Sequence, residues 1–242
     1  QAILGPLKER HPNYLFDGYT EQRRMQFQVS NDAGLDLSYG SMLTETTFFI
    51  KEKGSGNMFD TITGVEGEQV SPEEVIAECS RLLTADAYKI AQCPEGTHRV
   101  LVPVLFAPFV NLFRTDLSAR SYREGTSVFA AAYREGKALF HPDVHLVDSR
   151  DAAAIRVRPF DTEGVVRDAP NLDFVKDGVI QNFYASKRDA VLYDVAPTGS
   201  AGGDLAGAPS STPGTLRFMP TKERLVDLLD GQPALLLQVT AG

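Results

Sequence analysis

Apolar and polar residues alternate over residues 24–29, with Met25, Phe27 and Val29 on one face, the two-residue period of a half-buried β-strand. Turn chemistry follows in Asn31-Asp32-Ala33-Gly34, and the alternation resumes at Leu35, Leu37 and Tyr39. A Thr- and Phe-rich run at 44–51 reads as a further strand, so this part of the chain predicts an antiparallel meander of three strands joined by short turns. Lys53-Gly54-Ser55-Gly56-Asn57 is a flexible turn ahead of strand-like residues 58–63. The period then changes to that of a helix, because Val75, Ile76, Cys79, Leu82 and Leu83 fall on one face. Ser71 suits the cap, Pro72 the first helical position, and Glu74 the return bond of a capping box, which together predict a helix over 72–83. Cys79 lies on its apolar face and reads as core rather than as a reactive thiol.

Further along, residues 99–106 form an apolar run of strand length that Pro103 demotes to an edge or bulge. Residues 109–117 read as a helix with Val110, Phe113 and Leu117 on one side. Short strands are expected at 144–147 and 155–158, and a hairpin over 172–184 around Lys176-Asp177-Gly178, where Asp-Gly favours a primed turn. Ser186 starts a helix toward Tyr193. Residues 196–214 are dense in Gly, Pro, Ser and Thr and almost free of large apolar side chains, the composition of a long mobile loop serving as a linker or a substrate-closing flap. A strand at 216–219, a helix capped by Thr221 and reaching about 229, and a buried strand at 234–239 complete the reading. Strand-like runs outnumber helical ones and lack regular βαβ crossovers, so the fold class expected is α+β, with mixed or antiparallel sheets and a minority of short helices. Two regions are expected: 1–95, the meander with its capped helix, and 96–242, a second region incomplete at its end.

With 242 residues and 43% hydrophobic content the chain is long enough for a sizeable core. A net charge of −8 carries no basic footprint for nucleic acid, and no apolar run approaches the roughly 20 residues that span a bilayer. No signal-peptide pattern opens the sequence, and Cys79 and Cys93 form no metal or redox motif, so a cytoplasmic protein with free thiols is expected. The chain starts at Gln1 and stops just after an apolar run, which leads us to expect missing neighbouring sequence. His141 and His145 invite a metal reading, but on a strand they stand about 13 Å apart, too far for one ion, and Pro142 disfavours a helix. Asp161 and Glu163 lie in a turn, where acidic residues are usually solvated. No nucleophile elbow or phosphate-binding loop is present, and the residues by themselves show no self-sufficient active site.

Several segments nevertheless carry a resemblance in a fixed order. They are residues 30–39, Ser-Asn-Asp-Ala-Gly-Leu-Asp-Leu-Ser-Tyr; Tyr122-Arg123-Glu124-Gly125-Thr126-Ser127-Val128-Phe129; Arg158-Pro159-Phe160-Asp161-Thr162-Glu163-Gly164-Val165; the hairpin at 176–180; and Thr198-Gly199. From about residue 21 onward the chain resembles the TldD/PmbA family of peptide-maturation metalloproteins, also called modulators of DNA gyrase. In metal-binding members a His-Glu-x-x-x-His helix precedes the Gly-Thr-Ser-Val-Phe segment. Counting back from Gly125, the two His positions fall on Val110 and Thr115 and the Glu position on Asn111. Valine offers no donor atom and threonine is a poor zinc ligand. The third ligand of the family lies in a C-terminal part that is not evident here.

The resemblance implies one subunit of a two-subunit cytosolic protease that trims small unfolded peptides, of the metal-free PmbA (TldE) type, although Gly125–Phe129 is closer to the zinc-bearing type. It implies a peptide substrate, no cofactor of its own, no catalytic residue, and a zinc-bearing TldD-type relative or a second copy as partner. Gly125, Thr126, Ser127, Asp161, Glu163 and Gly164 become candidate peptide-cleft residues. Two other readings stay open: a stand-alone module that captures extended peptides by strand addition, and a hydrolase with ligands of another kind.

Overall fold

The alternating segment at the start of the chain builds two long strands, β1 (Tyr14–Ser30) and β2 (Asp36–Glu52), in the computed structural model of the protein. The structure describes residues 2–86, 92–102, 113–151, 157–203 and 207–237. Residues 35–39 and 44–51, expected as separate strands, are joined in one strand, because Gly40 stays out of the left-handed region and Gly40-Ser41-Met42-Leu43 continues the strand. Side chains pair in opposite directions across β1 and β2, Thr20 with Thr46, Gln22 with Thr44 and Gln28 with Asp36, as an antiparallel hairpin requires. The Asn31 carboxamide closes its tip by accepting from the backbone N–H groups of Ala33 and Leu35. Strand β3 (Thr61–Gly67) completes a three-stranded sheet in the order β1-β2-β3, with Thr44 opposite Gly67 and Ile50 opposite Thr61.

The contacts divide the chain into two units, Gln1–Met25, Met42–Phe106 and Leu225–Gly242 forming the first and Gln26–Ser41 with Ala107–Arg224 the second. The boundary read from the sequence, 95/96, falls inside the first unit.

In the first unit, α2 (Pro72–Asp86) forms where its cap demands. The Ser71 hydroxyl accepts from the Glu74 N–H at 3.2 Å, and the Glu74 carboxylate accepts from the Ser71 N–H at 2.9 Å, so the capping box is reciprocal. Its apolar face buries Val75, Ile76, Cys79 and Leu83 against Phe48 and Ile50 of β2. Each such aliphatic side chain contributes about 1.5–3 kcal/mol. A helix absent from the sequence reading, α1 (Leu4–Arg10), joins this core through the fully buried Leu7. Gly5-Pro6 hides it from a propensity argument, yet Pro is tolerated in a first helical turn. Of the 99–106 run, β4 (Val100–Leu101) is a short strand, paired in parallel with β11 (Leu235–Leu236). Thr221 does not cap the last helix: α6 (Leu225–Leu229) begins four residues later, and the Thr221 hydroxyl donates to the Glu223 carbonyl.

In the second unit, β5 (Leu146–Ser149), β6 (Asn171–Lys176), β7 (Val179–Ile180) and β10 (Thr215–Phe218) form an antiparallel sheet in the order β10-β5-β6-β7. The β6–β7 turn holds Asp177 at φ 51° and Gly178 at φ 75°, the primed geometry expected of Asp-Gly. A Cβ on Gly178 would collide with the Phe140 carbonyl oxygen. Leu117, Phe129, Leu146, Phe174, Val175, Ile180 and Tyr184 make the core on one side of this sheet. Two short helices, α3 (Ala119–Arg123) and α4 (Ala130–Glu135), lie in a stretch for which the sequence reading assigned no element. Helix α5 (Lys187–Tyr193) is capped as expected, the Ser186 hydroxyl accepting from the Asp189 N–H. The expected strand at 155–158 lies largely outside the described residues, and Arg158 is not in a strand.

The molecule is thus α+β, with mostly antiparallel pairing, one parallel pair and short helices. Among the described residues no helix is long and apolar enough to cross a membrane.

The two cysteines should differ sharply in reactivity. Cys79 is fully buried, and burial first, then the Glu78 charge, pushes its thiol up to about 12, whereas Cys93 is exposed. At pH 8 the Cys79 thiolate would be about one part in ten thousand. A thiol reagent should modify one cysteine per native chain and the second only in denaturant; two equally fast reactions would contradict the packing.

Candidate functional site

Thr115 lies in a helical turn, residues 113–116, with its side chain exposed; Val110 and Asn111 lie outside the described residues. The Gly125–Phe129 segment is fastened to that turn. The Ser127 hydroxyl donates to the Asp116 carbonyl at 2.7 Å and accepts from the Phe129 N–H at 3.1 Å, and the Asp116 carboxylate accepts from the Val128 N–H at 3.0 Å. The N–H groups of Thr126 and Ser127 both donate to the Ser121 carbonyl, ending α3. Phe113 stacks on Phe129 at 6.0 Å, completing the seat from the apolar side. Ser127 is buried, while Gly125 and Thr126 are exposed. This motif positions the helical turn that precedes it.

Asp161 is not solvated as its turn location implied; it is buried and spends its carboxylate on backbone. Oδ1 accepts from the N–H groups of Glu163 at 3.0 Å and Val165 at 2.9 Å, and Oδ2 from that of Ala201 at 3.1 Å. Burial drives this, since an interior carboxylate must collect donors to offset its lost hydration. Gly164 sits at φ 72°, where a Cβ would meet Leu35 Cδ2 at 2.6 Å, so glycine lets the hairpin tip approach. Phe160 joins Phe27 and Tyr39 in a ring cluster with centroids 5.3 to 6.1 Å apart. Glu163 turns outward to accept from the Lys187 N–H at 2.6 Å at the start of α5. Asp161 and Glu163 therefore do not form a paired-carboxylate acid and base; each holds a neighbouring segment.

A buried ion pair lies beside them, formed by residues absent from the sequence-based candidates. Asp148 of β5 is 1% exposed in its side chain and Arg167 9%, with Arg167 Nη2 donating to Asp148 Oδ2 at 2.5 Å. Arg167 also donates to the Thr198 carbonyl, the Asp148 carbonyl and the Ser200 hydroxyl. Arg150 donates to the carbonyls of Pro159, Val165 and Gly199. Burial, then the charge of Arg167, pulls its pKa down to about 10. These two guanidiniums hold residues 198–200, and β8 (Ala201–Gly202) pairs with β9 (Ser210–Ser211), so the Gly- and Ser-rich stretch expected as a mobile loop is anchored by polar bonds at both shoulders. The sequence signal was present but unread: a lone carboxylate within an otherwise apolar strand demands a buried cation.

Asp148, Ser149, Arg150, Arg158, Phe160 and Asp161 line one wall of a half-open cavity of about 30 Å³, and residues 212–215 line the other. Asp148 Oδ1 has no hydrogen-bond partner among the described residues. His145 lies 2.9 Å from Asp173 and His141 3.3 Å from Asp143, and among the described residues no three His, Cys, Asp or Glu side chains are grouped to hold a metal. Zinc of the kind the family resemblance implies does not fit the residues at the motif positions, Val110, Asn111 and Thr115. Removing one member of the buried pair should show its worth. Arg167→Ala leaves Asp148 without its cation and should cost about 3–5 kcal/mol in urea unfolding. A loss under about 1 kcal/mol, the range of exposed pairs, would show that the pair is not buried in solution.

Residues 95–240 match the model of the PmbA/TldA metallopeptidase C-terminal domain. Three solved structures share the fold. A protein from Thermotoga maritima assigned as a modulator of DNA gyrase is 20% identical, with TM-score 0.67 over 87% of this chain and 48% of its own. TldE from Thermococcus kodakarensis is 16% identical, with TM-score 0.77 over 95% and 52%. A protein from Bacteroides thetaiotaomicron assigned as a modulator of DNA gyrase is 14% identical, with TM-score 0.74 over 100% and 54%. The chain thus spans about half the length of these proteins. No curated protein matches the sequence. With the family model covering more than half of the chain, and the motif segments from Tyr122 to Gly199 in order within it, this protein belongs to the PmbA/TldD family.

Proposed function

We propose that this chain is the metal-free half of a two-subunit, cytoplasmic metallopeptidase that processes small unfolded peptides, and that it supplies walls to the peptide cavity rather than the catalytic ion. The observation that carries this reading is the identity of three residues. Val110, Asn111 and Thr115 stand where a zinc-binding relative has His, Glu and His, ahead of an otherwise intact Gly125–Phe129 segment. A segment that lacks ligand side chains while its neighbouring seat is kept serves as scaffold rather than as chemistry. The likeness to a protein named TldE supports the same assignment.

The partner is proposed to be a zinc-bearing TldD-type relative, with a homodimer as the other form of association. Val128, Val166, Val191 and Leu192 are each more than half exposed, apolar area that association would cover. A stand-alone peptide-binding module is the second reading. It is favoured by β10, which among the described residues pairs only with β5 and so presents an edge to an added strand.

Metal analysis of the purified chain should find no stoichiometric zinc, and the chain alone should cleave no peptide. Mixed with a relative carrying His-Glu-x-x-x-His, it should yield a stable complex whose peptidase activity a chelator abolishes. One tightly held zinc per chain, or chelator-sensitive cleavage by the chain alone, would sink the proposal. Failure to form any complex with such a relative, while the chain alone still binds peptide, would favour the second reading.

A further inference from the structure

The cavity beside Asp148 concentrates positive charge in a chain whose net charge is −8. Arg150 and Arg158 line it, Arg167 stands behind Asp148, and Arg114 reaches its wall, donating to the Thr212 hydroxyl at 3.0 Å and the Pro213 carbonyl at 3.4 Å. Two guanidiniums and two carboxylates thus line the cavity, and Arg167 and Arg114 add two positive charges at its walls. Asp161 is engaged through both oxygens and Asp148 through one, its Oδ1 having no partner among the described residues. Asp148 Oδ2 accepts from Arg167 and from the Gly214 N–H at 3.1 Å, and Asp161 accepts from three backbone N–H groups. The hydrogen bonds of Arg150 go to carbonyl oxygens, which orient a guanidinium without neutralising it. Arg158 is exposed and makes no ion pair or hydrogen bond among the described residues.

We propose that this cavity binds a carboxylate group of a peptide ligand, with Arg158 as the clamp and Arg150 and Arg114 as the surrounding field. A guanidinium presents parallel N–H donors that match the two oxygens of a carboxylate, and the pair is stronger than a neutral hydrogen bond. An arriving anion also relieves the mutual repulsion of Arg150 and Arg167, the same repulsion that lowers the pKa of Arg150. A space of about 30 Å³ admits a small polar group and excludes a bulky side chain. The inference rests on the peptide-processing reading above and names the chemical group recognised. The carboxylate belongs either to the C-terminus of the peptide or to an Asp or Glu side chain.

The test is calorimetric titration of the full chain with three N-acetylated alanine pentapeptides: the free acid, its C-terminal amide, and the amide with a central glutamate. The free acid should bind at least about tenfold more tightly than the plain amide, the ratio that one charge-assisted contact supplies. Arg158→Ala should abolish that difference, and Arg158→Lys, a point charge without the fork, should restore part of it. Thermal melts of both variants matching the parent would establish that they fold. A glutamate amide that binds more tightly than the plain amide while the free acid does not assigns the contact to side chains, the reverse pattern assigns it to the chain terminus, and tight binding of both shows that the site accepts either. Equal binding of all three peptides, or a carboxylate preference that survives Arg158→Ala, overturns the carboxylate site while leaving peptide binding intact. Failure of all three peptides to bind overturns both.

Discussion

Two charges taken out of water organise the second unit. An isolated carboxylate in a protein interior costs more than a marginally stable domain has to spare, so Asp148 is tolerated only because Arg167 meets it at 2.5 Å with its side chain nearly as deeply buried. Arg167 must in turn satisfy its remaining N–H groups, and it does so on the carbonyl of Thr198 and the hydroxyl of Ser200. Arg150 meets the same demand on Pro159, Val165 and Gly199. Two segments far apart in sequence, 159–165 and 198–200, are thereby tied to the end of β5 without a large apolar side chain between them.

The same logic of polar satisfaction recurs at the motif segments. Asp161 gathers three backbone N–H groups, Glu163 caps α5, and Ser127 and Asp116 join the Gly125–Phe129 segment to the helical turn before it. Residues that look like catalytic candidates in the sequence are therefore occupied with holding backbone. This is in keeping with the proposed metal-free subunit, in which these segments serve as scaffold. What remains for recognition, in the reading proposed above, is Arg158 at the mouth of the cavity, exposed and without an ion pair among the described residues.

Apolar packing supplies the frame on which this network rests. In the first unit the capped helix α2 presses its apolar face on β2, and in the second the aromatic and aliphatic core lies against β5 and β6. Such burial is non-directional, so it fixes which faces meet; the ion pair and the carbonyl contacts then select one arrangement of the connecting loops.

The sequence by itself determined what depends on near neighbours. The capping box at Ser71 and Glu74, the Asp177-Gly178 turn, the Ser186 cap and the alternation at residues 24–29 are local signals, each satisfied within a few residues, and each appears where expected. The proposal that this chain lacks the family's zinc ligands likewise rests on the side chains of Val110, Asn111 and Thr115 alone. Tertiary structure decided what depends on distant partners: the fusion of two expected strands into β2, the recruitment of α1 through Leu7, and the parallel pairing of β4 with β11. It also decided that Asp161 is buried and that residues 198–214 are anchored, because partners such as Arg150, Arg167 and Asp148 lie tens of residues away along the chain and no local period records them.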